Sequence, residues 1–126
     1  MTFHLAIPCN DIFEAVSFYE TIGAKLGRKY SDSAILNFFD TQLVVHLTGK
    51  WDREATMYPR HFGVILKSYN ELYELWNRWQ YAKFIFEEMF VRHKDKPEEH
   101  HTFFINDPSN NTIEFKWYKN KAAVFS

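Results

Sequence analysis

A chain of 126 residues with 46% apolar and 19% aromatic side chains is long enough to bury about two-thirds of its unfolded surface in a single domain. Its formal charge of −1, from 15 basic and 16 acidic residues, leaves no excess to draw nucleic acid or an anionic membrane. No apolar run approaches a membrane span, the strand-like N-terminus is unlike a signal peptide, and the single Cys9 fits a reducing compartment, so the expected location is cytoplasmic.

The chain opens with a short strand, Phe3 to Ile7, which Pro8 is expected to end. Asn10 or Asp11 then caps a helix to about Ile22, with Glu14 placed for a capping box and Gly23 as C-cap. Its apolar stripe is Ile12, Ala15, Val16, Tyr19 and Ile22. Strands follow at Lys25 to Tyr30, Ala34 to Phe39 and Gln42 to Leu47; in the last, Gln42, Val44 and His46 share a face. Thr48 to Arg60 reads as a connection in which Trp51, Met57 and Tyr58 are apolar enough to pack down.

His61 to Leu66 is the next strand. Ser68 or Asn70 caps a helix to about Tyr81, with Leu72, Leu75, Trp76 and Trp79 as its apolar stripe. A strand from Phe84 to about Val91 and a charged loop through Pro97 lead to a closing hairpin. Its turn is Asp107-Pro108-Ser109-Asn110-Asn111, where Asn110 or Asn111 tolerates positive φ. On its second strand Ile113, Phe115 and Trp117 oppose Thr112, Glu114, Lys116 and Tyr118. Taken alone, Glu114 reads as part of a solvated face.

The order is β-α-β-β-β twice, an α+β fold of two modules, the first over residues 1–50 and the second over 60–120, with a linker over 51–59. His4 and His61 start the two halves 57 positions apart (61 less 4), followed two residues on by Ala6 and Gly63. Small neighbours leave room for an imidazole. His46 and Glu114 lie on the last strands. Singly, each histidine is an ordinary strand residue. Together, two His and a carboxylate make the facial triad of non-haem Fe(II) sites, and three His with one Glu suit Zn, Ni or Mn.

At these residues the chain resembles the vicinal-oxygen-chelate superfamily, also called the glyoxalase/bleomycin-resistance/dioxygenase fold, and within it small proteins of the extradiol dioxygenase family. The resemblance is carried by Phe3-His4-Leu5-Ala6-Ile7-Pro8, Phe18-Tyr19-Glu20, Asn37-Phe38-Phe39, Gln42-Leu43-Val44-Val45-His46-Leu47, Pro59-Arg60-His61-Phe62-Gly63-Val64, Phe104, Asp107-Pro108-Ser109-Asn110-Asn111 and Ile113-Glu114-Phe115-Lys116. It implies a cupped mixed sheet with helices outside, around a divalent metal held by His4, His61 and Glu114. Fe(II) is favoured, with Mn, Ni or Zn as alternatives. His46 falls near the fourth ligand position. The resemblance also implies a small-molecule substrate and a homodimer.

Catechol-cleaving members carry an acid/base His and a Tyr beside the metal. Here the strand before Glu114 offers Phe103 and Phe104, so His46, His101 and Tyr118, with His100, are the acid/base candidates. Three functions are compatible with these residues: an Fe(II) extradiol-type dioxygenase acting on a vicinal diol or enol, a glyoxalase-like lyase or isomerase with Ni, Zn or Mn, and a metal-free binder of small ligands. Arg28, Arg60 and Lys116 are candidate anchors for a substrate carboxylate, and Phe38, Phe90, Phe103 and Trp117 are candidate pocket lining.

Overall fold

The computed structural model describes residues 1–49 and 51–126. Lys50, at the predicted end of the first module, lies outside the described residues. The chain divides into two compact units: Met1–Ala55 with Asp107–Asn111, and Thr56–Asn106 with Thr112–Ser126.

The first unit contains β1 (His4–Cys9), α1 (Ile12–Thr21), β2 (Lys25–Lys29), β3 (Ser33–Phe38) and β4 (Thr41–Leu47). The strand order is β1-β4-β3-β2, with β1 parallel to β4 and the other pairs antiparallel. Pro8 does not end β1. It sits inside an edge strand, where a missing N–H need not cost a ladder bond. Asp11 caps α1 by accepting from the Glu14 amide, and Gly23 follows with a φ of 112°. The turn between β3 and β4 falls on Phe39 and Asp40, both at positive φ, one residue earlier than the sequence predicts.

Alternation of β1, β3 and β4 puts Ile7, Cys9, Ala34, Leu36, Phe38, Leu43 and Val45 in the core with the apolar stripe of α1. The larger of these, Ile7, Leu36, Phe38, Leu43 and Val45, each contribute about 1.5–3 kcal/mol of transfer free energy. Cys9 is a packing residue, and burial raises its thiol above the ordinary value.

The turn Asp107–Asn111 completes this unit. Asp107 accepts from Tyr19 Oη at 2.7 Å, from the amides of Ser109 and Asn111 at 2.9 Å, and from Asn111 Nδ2 at 2.8 Å. Asn111 Nδ2 also donates to the Pro8 carbonyl, and the Asn10 amide donates to Ser109 Oγ. Asn110 takes the positive φ, at 62°. Every acceptor position of one buried carboxylate is therefore occupied by the turn and by α1.

The second unit contains β5 (Phe62–Ile65), α2 (Tyr69–Trp79), β6 (Ile85–Arg92), β7 (His100–Asn106), β8 (Thr112–Tyr118) and a short 3-10 turn at Lys121–Val124. Its order is β5-β8-β7-β6, with β5 parallel to β8. The strands thus form two four-stranded sheets where the sequence predicts one cupped sheet; the α+β class and the twofold β-α-β-β-β order match the prediction. Ser68 caps α2 by accepting from the Glu71 amide, while Glu71 accepts from the Lys67 amide in return. The stripe of α2 packs Trp76 on Phe103 and Trp79 on Phe115, with ring centroids 5.5 and 5.4 Å apart. Phe103 and Trp117 therefore belong to the helix-covered face, and Phe38 packs on Tyr19 in the other unit's core, so none of the three has the predicted role of pocket lining.

Burial, the negative charge of Asp107 and the hydrogen bond to it push the Tyr19 phenol well above its ordinary 10.0. A raised folded value means stability present below about pH 10 and lost as the pH rises further, because the unfolded chain ionises first. Equilibrium urea unfolding should show a steeper loss of stability above pH 10 in the wild type than in Tyr19→Phe. At pH 7 that variant should be less stable by about 1–2 kcal/mol, since Asp107 loses a buried donor.

Candidate functional site

The two faces of the second sheet have different chemistry. One meets α2. The other carries Thr102 and Phe104 from β7 and Glu114, Lys116 and Tyr118 from β8. Glu114 is 5% exposed, so the solvated-face reading does not hold. Its Oε2 accepts from Thr102 Oγ1 at 2.7 Å. Its Oε1 faces His61 Nε2 at 3.2 Å and Lys116 Nζ at 3.5 Å.

His61 immediately precedes β5, one residue outside the strand predicted to hold it. Its Nδ1 lies 2.5 Å from the Met57 carbonyl oxygen. A carbonyl only accepts, so Nδ1 carries a proton and donates it. Nε2 is then the free donor atom, and it points at a carboxylate oxygen. Two lone pairs do not face each other at 3.2 Å without positive charge between them. A proton satisfies that requirement, and so does a metal. Adjacent ligand atoms on one divalent ion, bonded at roughly 2.0–2.2 Å, are about 3 Å apart, so the pair fits a metal as it stands. The Met57 and Thr102 contacts are of the kind that orient metal ligands from behind.

His4, on β1 in the first unit, is exposed, with Nδ1 2.7 Å from Gln42 Oε1. Among the described residues, no group of three or more His, Cys, Asp or Glu side chains stands ready to hold a metal.

Register refines the internal repeat. Gly63 pairs with Glu114 on β8, and its counterpart Ala6 pairs with Val44 on β4. The residue of the first unit that corresponds to Glu114 is therefore Val44. His46, which is exposed, pairs with Pro8 and corresponds to Lys116. The sequence alignment of His46 with Glu114 is off by one same-face step.

Of the other predicted acid/base residues, His101 pairs with Trp117 on the helix-covered face, its Nε2 3.3 Å from Glu99 Oε2, and strand alternation turns it away from Glu114. Tyr118 shares the Glu114 face four residues along β8, its ring 4.8 Å from that of His100 and separated from Glu114 by the Lys116 ammonium. Burial lowers the affinity of His100 for a proton below that of an ordinary histidine.

The residues sequence reasoning missed are Tyr58 and Arg92. The Tyr58 ring stands 5.6 Å from His61 and 6.4 Å from Phe104, and Arg92 Nη1 donates to its hydroxyl. Phe90 stacks on Phe104, as a lining residue would. A phenol thus stands beside His61 from the connection before β5, where β7 offers only Phe103 and Phe104. The apolar character of Met57 and Tyr58 was the available signal. Of the other candidate anchors, Arg28 donates to Tyr30 Oη on an exposed surface.

A profile of the "Glyoxalase/Bleomycin resistance protein/Dioxygenase superfamily" matches residues 2–115. The chain belongs to this superfamily. A solved glyoxalase/bleomycin resistance protein/dioxygenase from Alicyclobacillus acidocaldarius is 42% identical, with a TM-score of 0.91, over 99% of this chain and 96% of that one. The superfamily fold is shared at lower identity by a lactoylglutathione lyase from Agrobacterium tumefaciens (16%, TM-score 0.71, 93% and 92% covered). It is shared also by the fosfomycin resistance protein FosX from Listeria monocytogenes (15%, TM-score 0.69, 98% and 97% covered). No curated protein matches the sequence at a significant level. Among the described residues, no helix of this superfamily member is long and apolar enough to cross a membrane.

The small residue at position 63 has a cause other than room for an imidazole. A Cβ there would come within 1.9 Å of the Glu114 backbone oxygen. Gly63 lets β5 and β8 approach closely enough to set His61 against Glu114. Gly63→Ala should lower stability by about 2–3 kcal/mol in chemical denaturation, because backbone must move to accommodate the methyl group. Ala6→Gly, at the matching position of the other unit, serves as the control and should cost less.

Proposed function

We propose that the protein is a divalent-metal-dependent enzyme, with His61, Glu114 and, as the family resemblance implies, His4 as ligands. Fe(II) is the favoured metal, and a small vicinal diol or enol, cleaved in extradiol fashion, is the favoured substrate. The proposal includes a homodimer. The observation that carries the reading is the pair of donor atoms at 3.2 Å, each held from behind by Met57 or Thr102. Val44, where a duplicated site would place a fourth carboxylate, favours a three-ligand set with open positions, and so the oxygenase over a four-ligand lyase.

When bound, a divalent ion would lower the pKa of a chelated substrate hydroxyl and bring the reactants together. The chain's own residues supply the rest. Met57 keeps His61 in one tautomer. Thr102 fixes the rotation of the Glu114 carboxylate. Tyr58, its hydroxyl held by Arg92, stands beside His61 to exchange a proton at Oη, the role expected of His101 or Tyr118. Phe90 and Phe104 exclude water from the same face.

Anaerobic reconstitution with Fe(II), Mn, Ni or Zn, followed by oxygen-electrode assays on a panel of catechols and enediols, tests this reading. Oxygen uptake with Fe(II) alone, reduced at least about 100-fold in Tyr58→Phe, is the expected result. Isomerisation of hemithioacetals without oxygen uptake would replace the oxygenase with the lyase. No uptake of any metal would leave only the ligand-binding module.

A further inference from the structure

Lys116 stands two residues beyond Glu114 on β8 and on the same face. Its Nζ is 3.5 Å from Oε1, the same oxygen that faces His61. The other carboxylate oxygen is committed to Thr102. A metal arriving at Oε1 therefore meets an ammonium already there. The Lys116 side chain is 24% exposed and keeps a route to solvent. Its Nζ also lies 5.2 Å from the centroid of the Tyr118 ring, a cation–π contact that does not depend on Glu114.

We propose that Lys116 is a built-in stand-in for the metal: it neutralises Glu114 in the empty site, and metal binding displaces it towards Tyr118. The inference rests on the reading of His61 and Glu114 as ligands. Its physical basis is that one charge acts with opposite sign in the two states. A carboxylate as buried as Glu114 is costly without a counter-charge, so the ammonium stabilises the metal-free protein. The same ammonium repels an incoming divalent ion and competes for its oxygen, so it weakens metal binding. Lys116 thereby sets the metal concentration at which the site fills. Tyr118 gains a place beside the site as the seat of the displaced cation, with no proton transfer asked of it.

The test is competition of apo-protein with a chromophoric chelator for Zn(II) and Mn(II), with thermal melts of the empty and loaded samples. Lys116→Gln should bind metal about tenfold tighter than wild type and melt lower when empty, while Lys116→Arg, which keeps the charge, should stay within about threefold. His61→Ala separates the two claims. If wild type binds metal through His61 but Lys116→Gln binds no tighter, Lys116 is not a competitor and this inference falls while the metal reading stands. If wild type binds no metal, or His61→Ala binds as well, both fall. Should Lys116→Gln fail to fold, reductive methylation of wild type, read by mass spectrometry, decides. Metal loading should speed labelling of Lys116, and an unchanged rate would overturn the proposal.

Discussion

The second unit is organised around two donor atoms, His61 Nε2 and Glu114 Oε1, that face each other at 3.2 Å. His61 donates its Nδ1–H to the Met57 carbonyl, and Glu114 Oε2 accepts from the Thr102 hydroxyl. What remains, Nε2 and Oε1, requires positive charge between or beside it. Gly63 brings the two strands close enough for this, and Lys116 supplies part of the charge. Each of these contacts would be unremarkable alone. Together they give the pair the geometry on which the proposed cation site rests.

The sheet keeps that pair apart from the work of folding. Tyr69, Leu72, Trp76 and Trp79 of α2 meet the Phe103, Phe115 and Trp117 side, where aromatic area is buried in quantity. Strand alternation then delivers Thr102, Phe104, Glu114 and Lys116 to the other side. The first unit is held by a different polar cluster, in which Asp107 accepts four hydrogen bonds and ties α1 to the turn. A buried carboxylate in one unit is fully satisfied, while in the other it keeps one oxygen facing charged or chargeable partners. That contrast is why Glu114, and not Asp107, is the acid proposed as a ligand.

Much of this was legible in the sequence because it depends on local period and local caps. Asp11 and Ser68 cap their helices, Asn110 takes the left-handed turn position, and the strands fall within a residue or two of their predicted places. Register was not legible. A strand's alternation says which residues share a face, but not which residue across the ladder they meet, so His46 aligned with Glu114 although it corresponds to Lys116. The same gap put His101 beside the site when its face is the helix-covered one. Tyr58 and Arg92 come from a connection and a strand end, where periodicity carries no signal, and only tertiary placement joins them. Gly63 was read as room for a side chain, when the constraint is the backbone of the neighbouring strand.

The central claim, that His61 and Glu114 share one cation, is tested most directly by X-ray absorption at the metal edge on protein loaded with one equivalent of Zn(II) or Mn(II). The account predicts imidazole nitrogen and carboxylate oxygen in the first coordination sphere, with the imidazole contribution diminished in His61→Ala. An oxygen-only sphere typical of adventitious surface binding, or a spectrum unchanged by that substitution, would contradict it.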